Sequence, residues 1–312
     1  MLDDRLTEQR NPRSGDIDRL VSLEIVRVIN DEDASVSAAV RGEESAIARA
    51  IDLAVAAFRG GGRLIYVGAG TSGRLGVLDA TEMPPTYGTD PRMVQGVIAG
   101  GLAALVRSRE GAEDQPGAGA AAMDEKDVGP LDFVLGIATS GTTPYVHGAL
   151  ARARERGART GFLLCTHPSQ ELLETHDVVI APLTGPEVIT GSTRMKAGTA
   201  TKMVLNTITT GAMVRLGKVD GNLMVDLLVT CQKLQDRGER ILMASLGLER
   251  EAARELLARA AGHVKTALVM YRMGVDAGEA RTALEQVDGV IGALGQGAGS
   301  SSATGVRRAG RQ

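Results

Sequence analysis

The chain has no tryptophan, and aromatic residues make up only 2% of it. A sugar stacked on a tryptophan wall is excluded, and nucleic-acid bases would find few aromatic platforms. Charge of one sign is also lacking: 35 Lys and Arg stand against 38 Asp and Glu, a net charge of -3, so no basic field draws in nucleic acid. Cysteine is limited to Cys165 and Cys231, which form no Cys-x-x-Cys pair. His147, His167, His176 and His263 show no ligand spacing on a helix face, so no metal site is expected. Both thiols read as buried and reduced. No run of about 18 apolar residues occurs, so no membrane span is expected. The acidic start Met1-Leu2-Asp3-Asp4 lacks the apolar core of a secretory signal, which leaves a cytoplasmic location as the default. A polar ligand must be recognised through backbone amides, hydroxyls and charges.

What is present is an ordinary globular composition, with 43% apolar residues in 312. Ile17, Leu20, Val21, Ile25, Val28 and Ile29 form a helical stripe, and so do Ile47, Ile51, Val55 and Phe58, which end at Gly60-Gly61-Gly62. The pattern then changes to short apolar runs: Leu64 to Val67, Val94 to Ala99, Phe133 to Ala138, Gly161 to Cys165 and Val178 to Leu183. Helical patterns separate them. Strands alternating with helices predict an α/β fold, a parallel sheet with helices on both faces and a ligand at the carboxyl ends of the strands. From Thr193 onward the pattern is helical: one helix to about Leu216, another from Asn222 to about Met243, then a three-helix appendage. The Gly/Ser/Arg-rich end reads as disordered. There is no internal repeat.

Three polar segments sit where ligands bind in such sheets. The first strand runs into Gly68-Ala69-Gly70-Thr71-Ser72-Gly73-Arg74. Glycines admit close backbone approach, and amides at a helix start attract anions. Gly70, Thr71 and Ser72 suit a terminal phosphate; a dinucleotide fingerprint and a purely structural turn fit the same spacing. The third strand ends in Thr139-Ser140-Gly141-Thr142-Thr143-Pro144. Pro144 suits the first position of a helix, so Ser140, Thr142 and Thr143 flank free amides, either as ligands of the same phosphate or as ordinary caps. The third segment, Glu187 to Thr199, opens the long helix. Ser192 or Thr193 reads as its cap, with Arg194 and Lys196 in its first turn. Cations there oppose the helix dipole, which points to an anionic partner or to solvated surface charge.

Two carboxylates stand out. Glu82 follows the first glycine loop and precedes Pro84-Pro85, and Glu113 lies in Glu110-Gly111-Ala112-Glu113-Asp114. Both read as crossover residues facing one end of the sheet. Paired carboxylates divide acid and base roles, although most glutamates are simply solvated.

The run from Gly62 to Ala80, with Glu82 and Pro84-Pro85-Thr86, closely resembles the N-acetylmuramic acid 6-phosphate etherase family. So do Thr7-Glu8-Gln9-Arg10-Asn11, Glu110 to Asp114, Gly185 to Gly198 and Gly221 to Asp226. The similarity spans about residues 5 to 295, in order. It implies a sugar isomerase (SIS) domain: a three-layer αβα sandwich on a five-stranded parallel sheet, with a small helical C-terminal domain. The implied division is 1–58 for N-terminal helices, 59–222 for the SIS domain, 223–295 for the helical region and 296–312 for the tail. The resemblance further implies a homodimer with sites near the subunit interface and a small-molecule sugar phosphate as substrate. The implied reaction is cleavage of the D-lactyl ether to N-acetylglucosamine 6-phosphate and D-lactate, in recycling of peptidoglycan sugars. By motif match Glu82 corresponds to the family's proton donor and Glu113 to its second catalytic carboxylate. No metal or redox cofactor is implied.

Some positions depart from the pattern. Thr142 stands where family members usually have Arg. Cys165-Thr166-His167-Pro168 replaces Cys-Asn-Pro, Asp220 replaces an aromatic residue and Cys231 an Asn. None touches the two glutamates or the Thr71-Ser72 loop, so they bear on substrate contacts rather than reaction type. The glucokinase regulatory protein, which binds phosphorylated fructose without catalysis, and the aldose-ketose isomerases are the rival readings on the same fold.

Overall fold

The computed structural model describes residues 5–229 and 231–294. The expectation of a disordered tail at 296–312 lies outside the described residues. The chain divides into two compact units, Met1–Ala212 and Met213–Gln312.

The first unit begins with short 3-10 turns at Leu6–Glu8, Pro12–Ser14 and Ile17–Arg19. The helices α1 (Ser22–Asp33), α2 (Val36–Arg41) and α3 (Glu44–Arg59) follow. Five strands then alternate with helices: β1 (Leu64–Gly68), α4 (Gly70–Tyr87), β2 (Val94–Ile98), α5 (Pro116–Glu125), β3 (Phe133–Ile137), α6 (Pro144–Glu155), β4 (Arg159–Leu163), α7 (Gln170–Thr175) and β5 (Val178–Ile180). The sheet is parallel throughout, in the order β2-β1-β3-β4-β5. This is the α/β architecture that the alternating runs predict, with β4 beginning two residues earlier than the apolar run.

Strand periodicity assigns the two faces. Ile65 and Val67 point into a core built with Met123 of α5 and Val146, Ala149 and Leu150 of α6. Tyr66 points the other way, toward α4, where a Cβ on Gly76 would lie 2.9 Å from the tyrosine Cβ. The Tyr66 hydroxyl donates to Asp79 Oδ2 at 2.9 Å, and Asn206 and Thr209 donate to Oδ1 at 2.6 and 3.2 Å. Asn206 and Thr209 lie on α8 (Lys196–Arg215), so one buried carboxylate joins β1, α4 and α8. Burial raises the Asp79 pKa even against these three donors.

The strand order places the site. Sequence runs outward from β1 to β2 on one side and from β3 to β5 on the other, so the crevice beyond β1 and β3 is the topological switch point where open α/β sheets take their ligands. Gly68 is level with Ile137 in the register, so both loops leave the sheet at the same height.

The second unit differs from the sequence expectation. Where a helix was expected from Asn222, a two-residue turn joins β6 (Val219–Asp220) to β7 (Leu223–Met224). Gly221 takes φ +58° in that turn, the left-handed region that tight hairpins require. Asp220 is held by Arg272 through two hydrogen bonds of 2.9 and 2.5 Å. Helices α9 (Gln232–Leu246), α10 (Arg250–Arg259), α11 (Val264–Met273) and α12 (Ala277–Gln286) close a core around Leu242, Leu257 and Leu268.

Candidate functional site

Helix α4 lies unusually close to β1 at its start. A Cβ on Gly73 would meet the Gly68 carbonyl oxygen at 2.7 Å, so both positions exclude any larger residue. Gly70 takes φ +53° and starts the helix. These glycines therefore serve packing and backbone turn together, which brings Thr71 and Ser72 into the first turn of α4. No side chain caps this helix. Ser72 is buried, Thr71 half-buried and Gly70 exposed.

At the neighbouring strand end, Ser140 Oγ lies 3.0 Å from Thr142 Oγ1. Gly141 turns at φ +77°, and its carbonyl lies 2.8 Å from His147 Nε2. Thr143 stands at the N-cap of α6 but its side chain makes no cap bond. Instead the Glu113 carbonyl accepts the amide of Tyr145 at 2.9 Å. That bond ties the Glu113 loop to the start of α6. Two helix N-termini with nearby hydroxyls thus follow neighbouring strand ends, and each is suited to an anion; Ser140 and Thr142 line one cavity and Gly70 another.

The two candidate carboxylates lie apart within one chain. Glu113 lines a 180 Å³ cavity with Gly70, Arg74, Arg109 and Glu110. Glu82 lies on an exposed face of α4. It is twelve residues beyond Gly70, which corresponds to about 18 Å along the helix axis. Both fall in crossover segments, Glu82 within the helix α4 that joins β1 to β2 and Glu113 in the stretch between β2 and α5.

The third polar segment also differs from expectation. Helix α8 begins at Lys196, so Arg194 precedes it. Neither Ser192 nor Thr193 caps it. Glu187, fully buried, accepts the amides of Lys196 and Ala197 at 3.0 and 2.9 Å. Burial raises the Glu187 pKa despite those bonds. Lys196 does not present a cation to solvent: its ammonium is buried and lies 2.5 Å from Glu32 Oε2. The same oxygen accepts from Asn11 Nδ2 at 2.7 Å. Burial pushes the Glu32 carboxyl up, but the bonds from Lys196 and Asn11 outweigh it and leave the pKa below its usual value. The segment still reaches the site, because a Cβ on Gly198 would lie 3.7 Å from Thr71 Cγ2. Ser192 is half-buried, and the adjacent Gly191 amide donates to the Thr7 carbonyl at 3.2 Å.

Glu32, Asn11, Glu187 and Ser14, whose hydroxyl donates to the Val188 carbonyl at 2.7 Å, were not picked out from spacing. The partners of Glu32 and Ser14 lie too far along the chain for any local pattern, whereas Glu187 meets amides nine and ten residues on, within the third polar segment itself. Cys165 is buried and its thiol is pushed up to about 12, so it is no nucleophile at neutral pH. Cys231 is exposed, contrary to the reading of two buried thiols. His176 is pushed down to about 4 by burial, Arg154 and His147. Among the described residues, no group of three or more His, Cys, Asp or Glu is placed to hold a metal ion, and no helix is long and apolar enough to cross a membrane.

Residues 46–154 match a family model described as the glucokinase regulatory protein N-terminal SIS domain. A phosphoheptose isomerase from Neisseria gonorrhoeae superposes with a TM-score of 0.47 at 15% identity, covering 62% of this chain and 99% of its own. An N-acetylmuramic acid 6-phosphate etherase of Gloeobacter violaceus is 56% identical over 92% of this chain and 93% of its own length. The etherase of Salinibacter ruber is 54% identical over 93% of each. Identity at this level over more than nine tenths of the chain shows that the chain belongs to the N-acetylmuramic acid 6-phosphate etherase family.

Proposed function

We propose that this protein cleaves the D-lactyl ether of N-acetylmuramic acid 6-phosphate with water, releasing N-acetylglucosamine 6-phosphate and D-lactate. The observation that carries the reading is the near full-length identity to etherases. The paired amide-and-hydroxyl loops at the switch point support it, since they suit a phosphate.

In this reading the phosphate sits between Gly70-Thr71-Ser72 and Ser140-Gly141-Thr142-Thr143, with Ser192 at the rim. Lys196 supports the loop through Glu32 rather than touching the phosphate. In the open-chain sugar the aldehyde acidifies the proton on carbon 2. Glu113 removes that proton, and Glu82 protonates the ether oxygen as the carbon 3–oxygen bond breaks. The products of this step are D-lactate and a carbon 2–carbon 3 double bond. Water then adds at carbon 3: Glu82 takes its proton, and Glu113 returns one to carbon 2. Only protons are transferred, and each carboxylate ends as it began. A positioned acid or base of this kind contributes roughly 100- to 10,000-fold.

The chemistry needs both carboxylates at one sugar, and one chain holds them apart. We therefore read the working form as a cytoplasmic homodimer in which Glu82 of one copy meets Glu113 of the other. Leu78, 51% exposed one turn before Glu82, and the exposed Leu23 and Val26 of α1 with Val21 just before it supply apolar surface for such an interface. A D-lactate dehydrogenase-coupled assay on purified protein tests the reaction. Lactate should appear in step with N-acetylglucosamine 6-phosphate. Binding of the sugar phosphate without any lactate would instead favour a binding module.

A further inference from the structure

When Glu113 takes the proton on carbon 2, the electron pair left behind moves onto the carbon 1 oxygen as an enolate. Negative charge that develops in this way is stabilised by donors fixed in place beforehand. Arg74 and Arg109 line the 180 Å³ cavity that Glu113 shares with Gly70 and Glu110. At about 30 Å³ for each water, that space equals roughly six waters, room for one end of an open-chain sugar and not for the whole. Glu82, which meets the ether oxygen, is not among the lining residues, so the end that enters is the aldehyde end.

The two cations are held differently. Arg74, two residues beyond Ser72 on α4, is half-buried. Its Nε donates to the Leu105 carbonyl at 3.1 Å and its Nη2 to the Ala104 carbonyl at 2.8 Å. Both carbonyls belong to a 3-10 turn at Leu102–Leu105. The two bonds fix the plane of the guanidinium, and among the described residues they leave Nη1 uncommitted. Arg109 is exposed and makes a single bond, from Nη1 to the Gly100 carbonyl at 3.0 Å. Among the described residues no carboxylate, Glu110 and Glu113 included, is bonded to either group. A planar cation already fixed at two donors needs little rearrangement when charge appears beside it.

We infer that Arg74 is a catalytic residue, whose Nη1 donates to the carbon 1 oxygen as the enolate forms. The inference rests on the etherase reading above. As the carbon 3–oxygen bond breaks, the enolate pair returns to make the carbon 2–carbon 3 double bond and the aldehyde is restored. The bonding pair leaves on the lactate oxygen, which receives the proton of Glu82. Arg74 gives up no proton at any step.

The test compares Arg74→Gln, Arg74→Lys and Arg109→Gln with the wild-type protein. Lactate release gives kcat and KM, and calorimetry gives the affinity for N-acetylglucosamine 6-phosphate. Deuterium uptake at carbon 2 is followed with each change added to Glu82→Ala. A group that meets charge present only in the transition state raises kcat without tightening ground-state binding. Arg74→Gln should therefore lower kcat about 100- to 1,000-fold, slow deuterium uptake by a similar factor and keep affinity within about three-fold of wild type. Arg74→Lys keeps the charge without the fork and should lie between the two, roughly ten-fold below wild type. If Arg74→Gln does not fold, Arg74→Lys carries the test on the same readouts. Affinity and kcat falling together would mean that Arg74 only braces the 3-10 turn, and this overturns the inference. So does a kcat near wild type, unchanged deuterium uptake, a lysine variant no better than the glutamine one, or a larger loss of kcat in Arg109→Gln. A wild-type protein that binds the sugar phosphate and releases no lactate overturns the etherase reading itself, and this inference with it.

Discussion

Lys196 Nζ lies 2.5 Å from Glu32 Oε2, and both side chains are buried. The pair links α1 to the start of α8, 164 residues apart in sequence. Removing one member of a buried pair strands the other charge and typically costs about 3–5 kcal/mol.

Lys196→Met should therefore lower stability by that order in chemical denaturation at pH 7. Glu32 has a folded pKa below its ordinary 4.5, so its contribution is fully present above that value and is lost as pH falls through the lowered one. The gap between wild type and Glu32→Gln should narrow as pH falls below about 4.5. A gap that stays constant down to pH 3 would mean that the carboxylate's charge is not what stabilises this contact.

Ser72→Ala and Ser140→Ala should weaken affinity more than they slow the chemical step. Each hydroxyl is read as meeting the phosphate, remote from the ether. The loss expected for a bond to a charged acceptor is about 1.5–3 kcal/mol. Titration with phosphorylated and unphosphorylated N-acetylglucosamine separates the cases. Equal losses for both would mean that these hydroxyls do not read phosphate.

The separation of Glu82 from the Glu113 cavity makes the dimer testable. Glu82→Gln and Glu113→Gln should each be inactive alone. If a site takes one carboxylate from each copy, a refolded equimolar mixture contains mixed dimers with one intact site. Activity should then return to about a quarter of wild type. A mixture as inactive as its components would mean that both carboxylates come from a single chain.

The five strands and the loops that follow β1 and β3 could be read from sequence because their signals are local. An apolar run of strand length, a glycine turn and a proline at the first turn of a helix each act over a few residues. The register that levels Gly68 with Ile137 then sets the two loops side by side. The bond from Lys196 to Glu32 is not legible, because no local pattern tells which buried carboxylate a group 164 residues away will meet; the Glu187 cap spans only nine residues, but Ser192 and Thr193 give the stronger local capping signal. Lys196 reads as a phosphate-ligand candidate because its position in the first turn is visible in sequence, while its partner Glu32 is not. The hairpin around Gly221-Asn222 is a different case. Gly-Asn is a two-residue turn signal, but strands of two residues are too short to break the helical apolar pattern around them.

The central claim is that Glu113 takes the carbon 2 proton and Glu82 protonates the departing oxygen. Exchange in heavy water tests it most directly. The aldehyde stabilises the carbanion whether or not the ether oxygen is protonated, so loss of the acid blocks lactate release without preventing proton removal. N-acetylmuramic acid 6-phosphate recovered after incubation with Glu82→Ala should carry deuterium at carbon 2, and that recovered after Glu113→Ala should carry none. Exchange kept in the Glu113 variant and lost in the Glu82 variant would contradict these roles.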